Sequence, residues 1–313
     1  MSVPLDPADA RALERVEADA RRDFYDAAPP QVVDVLGVSR HDIGGGAAFV
    51  VRTMESLLFN RVSGFGVERA ATEQELDRLL ALYAGVLGGF AINHSPLAAP
   101  PELESWYAAR GMGTFFHHLK WWRDVVPKAP HATPLRIARC TAADAGTWAE
   151  IAGNVFGWAA GESGPRPGGG AVREWIRATV GRPGWSHFLA WDGAVPIATG
   201  ALFVRGGHAW LGWGGTLEAH RRKGAQRALI AARIAAAAEQ GARLVSTETG
   251  PDWEDVPRES LHNVRRAGFQ LLCERPSWIL ARARLNEHDL AALAHREVVA
   301  CQPRPFSGRL TCP

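Results

Sequence analysis

The segment of this sequence best suited to chemistry is Gly212–Ile230, GWGGTLEAHRRKGAQRALI. Its residue types predict a strand ending in Gly214, Gly215 and Thr216, a short turn carrying Arg221, Arg222 and Lys223, and a long alanine-rich helix opened by Gly224. The first backbone N–H groups of a helix have no partner inside it, and the aligned peptide dipoles add partial positive charge at that end. Such an end takes phosphate. Gly224 allows close approach to the backbone, three consecutive cations raise the local potential, and no Asp or Glu stands in the first turn to occupy the donors. Arg221–Lys223 beside Gly224 are therefore expected to contact a phosphate group.

An earlier helix serves as a control. Its entry, Gly66–Glu75, contains Thr72 and Glu75 at the spacing of a capping box, which fills the free donors from within the chain. Glu68, Glu73 and Glu75 would also repel a phosphate. The first half of the chain is expected to bind no such ligand.

The 313 residues exceed one ordinary core and predict two domains. Three prolines in Val125–Pro134 place a linker near residue 130. In residues 1–133, 13 Lys/Arg stand against 17 Asp/Glu, and in the remainder 22 stand against 16, so the basic half is the one that holds the phosphate motif. The first half reads as a helix at about 5–27, strands at Ala47–Arg52 and Leu57–Val67, a helix over Ala71–Gly88, a strand at Gly89–Asn93, a helix at about 101–110 and a strand from Thr114 to Trp122. The second half reads as a strand at Leu135–Arg139, helices at Ala142–Phe156 and Val172–Val180, and strands at Ser186–Trp191, Pro196–Val204 and His208–Leu217. The helix Gly224–Gln240, a strand at Arg243–Thr249, a helix at about 257–267 and strands at 269–274 and 277–284 follow. The shared order suggests a duplicated fold. Gly161–Gly170 reads as a mobile loop, and 286–313 as a tail. No apolar run is long enough to span a membrane, the charged N-terminal segment lacks the apolar core expected of a signal peptide, and the four cysteines have no metal-ligand spacing. These features predict a reduced, cytoplasmic protein without metal.

Arg221–Gln226 resembles the R/Q-x-x-G-x-G/A pyrophosphate loop of the GNAT superfamily of N-acetyltransferases, and Ser260–Asn263 with Arg266-Ala267-Gly268-Phe269 resembles that family's last helix and its G-F ending. The likeness covers roughly 135–284. It implies an α/β (α+β) chain of two GNAT-like domains, each a mixed, mostly antiparallel sheet flanked by helices: a degenerate copy at 1–130, an acetyltransferase domain at 131–285 and a tail at 286–313. It further implies acetyl-CoA as co-substrate. Backbone groups of Gly214, Gly215 and Thr216 would pair with the pantetheine arm. The amides of Arg222, Lys223, Gly224, Ala225, Gln226 and Arg227 would hold the pyrophosphate, and Asn263 would reach the cofactor. A substrate amine would attack the thioester directly. Two departures stand out. Gln226 replaces the final small residue of the loop, so its side chain must turn away, and Val264 occupies the place of the tyrosine that often protonates the leaving thiolate.

An amine needs to lose a proton before attack. His208, at the head of the strand leading to Gly214, lies where some family members keep a catalytic glutamate, and its other reading is a strand-start histidine at the protein edge. Glu248 is expected at the end of the next strand, either as a base with raised pKa or in a structural role toward loop backbone. Trp158, Trp213 and Trp253 adjoin loops and are candidates for an acceptor pocket. His117 and His118 are adjacent on a strand and face opposite ways, which disfavours a shared metal. The reading as a whole is an acetyl-CoA-dependent N-acetyltransferase acting on a small-molecule amine. No nucleic-acid or membrane partner is expected, and the chain is expected to be a monomer or homodimer. The alternative is a non-catalytic acetyl-CoA-binding protein.

Overall fold

The computed structural model describes residues 5–126, 133–158, 168–251 and 259–280. In chain order the elements are α1 (Pro7–Asp26), α2 (Pro30–Leu36), β1 (Val38–Ile43), β2 (Gly46–Val51), β3 (Arg61–Ser63), α3 (Glu73–Leu82), β4 (Phe90–Asn93), α4 (Leu103–Ala109) and β5 (Gly113–Asp124). The second half contributes β6 (Arg136–Arg139), α5 (Ala145–Val155), α6 (Gly169–Arg177), β7 (Trp185–Asp192), β8 (Val195–Arg205), β9 (His208–Thr216), α7 (Ala225–Glu239), β10 (Leu244–Thr249), α8 (Glu259–Arg266) and β11 (Gln270–Leu280). The expected boundary near residue 130, most of the glycine-rich loop, Trp253 and the tail lie outside the described residues.

All eleven strands form one sheet in the order β1-β2-β3-β4-β11-β5-β10-β9-β8-β7-β6. Both halves follow the same plan. In the first, β2–β3 is antiparallel, β3–β4 parallel, and α3 connects the parallel pair; in the second, β8–β9 is antiparallel, β9–β10 parallel, and α7 connects them. The last strand of each half is exchanged. β5 lies between β10 and β11, with Leu244 opposite Asp124 and Thr249 opposite Leu119, while β11 lies between β4 and β5. The duplicated order expected from sequence is therefore present, but each half's sheet is completed by a strand of the other.

Alternation along the strands sets the two layers. Ala209, Leu211 and Val245 point to α7 and α8, where Leu229, Ile234, Leu261 and Val264 complete one core. Trp210, Ala201 and Phe203 point the other way, toward Val16, Ala20 and Phe24 of α1 and Trp148 of α5. On the first half, Val62 and Ile92 face Leu76 and Leu79 of α3, whereas Ala47, Phe49 and Val51 face α1. Helix α1, whose Asp6 side chain accepts from Ala8 N at 2.7 Å, thus runs beneath both halves on the face opposite α3 and α7.

Candidate functional site

Strand β9 ends at Thr216, a 3-10 turn covers Glu218–His220, and α7 begins at Ala225 with Gly224 as its N-cap in the left-handed region, φ 81°. No side chain caps this end and no acid lies in its first turn. Arg222 also has positive φ, 64°, two residues before that cap. Helix α3 provides the contrast. There the Thr72 hydroxyl accepts from Glu75 N at 3.2 Å and Thr72 N donates to Glu75 at 3.0 Å, completing the expected capping box. Arg69 bonded to Glu75 holds that carboxyl down to about 2. The cations of the second-half turn are less uncommitted than their sequence suggests: Lys223 Nζ lies 2.5 Å from Asp192, and Arg221 lies 3.9 Å from Glu218.

Beside this helix end the sheet opens. β10 pairs with β9 only from Leu244–His208 to Thr247–Leu211, so Gly212–Thr216 run on without β10. The cause is a β-bulge. Between the pairs Thr199–Gly215 and Ala201–Gly212, two residues of β9 (Trp213 and Gly214) stand opposite Gly200 alone. Trp213 takes φ 53°, a left-handed value, and its carbonyl accepts from the Thr199 hydroxyl at 3.0 Å. A bulge of this kind bends a strand and ends its pairing. The strands thus part between β9 and β10, next to the end of α7 that no side chain caps.

On α8, Asn263 donates its side-chain amide to Oε1 of Gln226 at 2.7 Å. The turned-away Gln226 side chain thus has a partner, and the Asn263 amide, expected to reach a ligand, is engaged by α7. Val264 is buried in the core under α7 and α8 and has no proton to give. His262, beside Asn263 on α8, is half-buried.

Both candidate bases require correction. His208 starts β9, eight residues before Thr216, or about 26 Å along an extended strand. Its ring contacts Gly206 O at 2.8 Å and Asp9 at 3.3 Å, which is the edge role. Glu248 lies beside the opening but belongs to a buried ionic network on the α1 face. It is bonded to Arg275 and lies 3.6 Å from Arg61 and 3.7 Å from His118. Burial pushes its pKa up, but His118, Arg275 and Arg61 outweigh that and hold it at about 2, the reverse of the expected rise. Arg275 also reaches Glu14 at 2.8 Å and Glu17 at 3.1 Å on α1, and Glu17 is bonded to Lys120 of β5. Burial pushes His118 down to about 4. A carboxylate this well compensated is a poor proton acceptor near neutral pH.

His118 faces this network while His117 lines a groove of about 380 Å³ on the α8 side, so the adjacent histidines diverge as expected. Trp158 is buried, and half-buried Trp213 packs against Phe24, Phe156, Trp158 and Trp148 at 5.2–6.3 Å between ring centres. Among the described residues no group of three His, Cys, Asp or Glu side chains could hold a metal ion, and no helix is long and apolar enough to cross a membrane. Among the residues around the site, the ionic network and Arg233 are not anticipated by the sequence reading. The second had a local signal, since Arg233 is the only charge between Arg227 and Glu239 in an alanine-rich run.

No protein-family model matches the chain, and no curated protein matches it. Solved structures do. A GCN5-related N-acetyltransferase from Kribbella flavida is similar at 18% identity with a TM-score of 0.56, covering 85% of this chain and 97% of that one. A tandem GNAT protein from the clavulanic acid biosynthesis pathway is similar at 18% identity with a TM-score of 0.51, covering 89% and 97%. A GCN5-related N-acetyltransferase from Sphaerobacter thermophilus is similar at 15% identity with a TM-score of 0.50, covering 90% and 95%. At these identities the likeness shows the fold: the chain has the mixed α/β architecture of the GNAT superfamily.

Proposed function

We propose that this chain binds acetyl-CoA in its second half and transfers the acetyl group to the amine of a small molecule. One observation carries the reading: the N-terminus of α7, which has no side-chain cap, adjoins a strand that has parted from its neighbour. The amides from Arg222 to Arg227 would hold a pyrophosphate, with Gly224 giving room for approach. Arg221 and Arg222 add charge, and Lys223 contributes from a pair with Asp192. The free edge of β9 at Gly214, Gly215 and Thr216 would pair with the amides of the pantetheine arm as a neighbouring strand does. Bound there, acetyl-CoA supplies an activated acyl carbon. The amine nitrogen bonds to that carbon, the C–S bond breaks, and the thiolate departs. Neither His208 nor Glu248 is retained as general base; the amine proton passes to water, and water protonates the thiolate, since Val264 cannot.

Calorimetry with acetyl-CoA tests the cofactor site. The wild type is expected to bind one molecule per chain, Gly224→Glu to bind none while keeping its fold, and Thr72→Ala, at the capped end of α3, to bind as the wild type does. Unchanged affinity in Gly224→Glu would refute the assignment.

A second reading, a non-catalytic acetyl-CoA-binding protein, is favoured by the burial of Val264 and by the ion pairs that engage Glu248. A thiol-release assay across amine classes separates the two. Saturable binding with no release above the amine-free rate would establish the second.

A further inference from the structure

We infer that Arg233 is a positioning residue that holds the β9 bulge in the form that leaves the sheet open; the inference rests on the acetyl-CoA reading above. Arg233 lies midway along α7, points at the sheet, and is 3% exposed. Its guanidinium makes three hydrogen bonds, all to backbone carbonyls. Nε donates to Leu229 O at 3.0 Å, and Nη1 donates to Ala201 O at 3.2 Å and Gly212 O at 3.1 Å. Ala201 and Gly212 are opposite each other on β8 and β9, immediately before the two β9 residues that share Gly200 as their opposite number. One nitrogen therefore clamps both strands at the point where their register shifts.

The surrounding sequence is built around this group. A Cβ at Gly200, the single residue facing the bulge, would lie 2.9 Å from Cζ and Nε of Arg233, so only glycine leaves room for the guanidinium. A Cβ at Gly214 would lie 3.4 Å from Nη2, which puts the second terminal nitrogen directly behind the exposed part of the opening. The Thr199 hydroxyl holds the carbonyl of Trp213 from the other side. Among the described residues no carboxylate pairs with Arg233, and burial lowers its pKa to about 10, so it stays charged at neutral pH while bonded to carbonyls. A buried cation costs free energy unless it satisfies groups that need it. The groups satisfied here are the carbonyls of Ala201 and Gly212, one on each strand beside the bulge. With Arg233 removed, the bulge loses its clamp. Gly212–Thr216 can then shift register, and the edge offered to the pantetheine arm moves while the end of α7 stays in place.

The test uses the full chain and two probes, acetyl-CoA and adenosine 3′-phosphate 5′-diphosphate, the latter reaching only the α7 end. In Arg233→Met the dissociation constant for acetyl-CoA is expected to rise at least about tenfold and that for the truncated probe to stay within about twofold. Gly200→Ala, which displaces the guanidinium without deleting it, is expected to give the same split and keeps the test decisive where Arg233→Met fails to fold. A general loosening of the protein would weaken both probes alike, so equal factors for the two, including no change in either, would overturn the proposal. Wild-type protein that bound neither probe would instead sink the cofactor reading, and this inference with it.

Discussion

Asn263 on α8 donates to Gln226 in the first turn of α7 at 2.7 Å, so a polar residue at the helix end expected to meet phosphate is held sideways by α8. Its amide is engaged there and is not offered to a ligand. Asn263→Ala is expected to cost about 1 kcal/mol of unfolding free energy, the usual worth of one part-buried hydrogen bond. The acetyl-CoA dissociation constant should change less than about threefold. Denaturant unfolding and calorimetry on the same preparation measure both, and a loss of affinity exceeding tenfold would return Asn263 to the ligand site.

Arg222 is strained where it is useful. A non-glycine residue at φ 64° sits in a region that disfavours a Cβ. Arg222→Gly should therefore raise stability by roughly 0.5–1 kcal/mol, the relief of strain being partly offset by the greater freedom of glycine in the unfolded chain. The same change removes a cation from the turn and should weaken acetyl-CoA about fivefold. Opposite signs in thermal melting and calorimetry are the expected result; a variant that is both less stable and weaker would contradict it.

Two buried histidines make the fold acid-sensitive above the carboxylate range. Burial holds His187 down to about 3 and His118 down to about 4, against an ordinary value of 6.5. Between pH 6.5 and those values the unfolded chain takes up protons that the folded chain refuses, so stability falls as pH falls through that window. The His187 shift alone is worth roughly 5 kcal/mol across it. Glu248, held near 2, adds a further loss only below about pH 4.5. His187→Gln, which can keep a bond to the Thr179 hydroxyl (3.0 Å in the wild type), should flatten the decline between pH 6.5 and 4. Urea titrations at half-unit pH steps measure the slope, and an unchanged slope would refute the assignment.

Local signals carried the sequence reading furthest. The capping box at Thr72 and Glu75 and the entry of α7 at Gly224 are written in neighbouring residues, and both are present in the structure. β1 escaped notice because it is an edge strand in which Ser39–Asp42 carry no apolar face, and α2 because a seven-residue helix beginning at Pro30 has too little periodicity to show. β11 reads as two strands because Arg275-Pro276 interrupts its pattern; the strand continues because Pro276 lies opposite His117 and its carbonyl accepts from His94 N at 3.0 Å. His208 and Glu248 were misread for one reason: their partners, Asp9 and Arg275, come from elsewhere in the chain, and a residue's neighbours in space are what fix its charge and its freedom. No local pattern could have shown that β5 and β11 change places.

That exchange makes a strong claim about the two halves. Residues 131–285 taken alone would lack β5, leaving the β10 edge from Leu244 to Thr249 unpaired and β11 without either neighbour. Leu119 and Trp121 would vanish from the core under α7, and Arg275 and Glu248 would lose Glu14, Glu17 and the rest of the network that joins them to α1 and β5. Breaking such a buried network by removing partners costs about 3–5 kcal/mol by itself, a large part of a domain's whole stability. The excised second half is therefore expected to show no cooperative thermal transition and no acetyl-CoA binding, although it contains the entire phosphate motif. Supplying residues 1–130 as a separate chain during expression should restore both, with the fragments eluting together on gel filtration. A monomeric 131–285 fragment that melts cooperatively would show that the exchanged strand is dispensable, and that the first half is an appendage to the second.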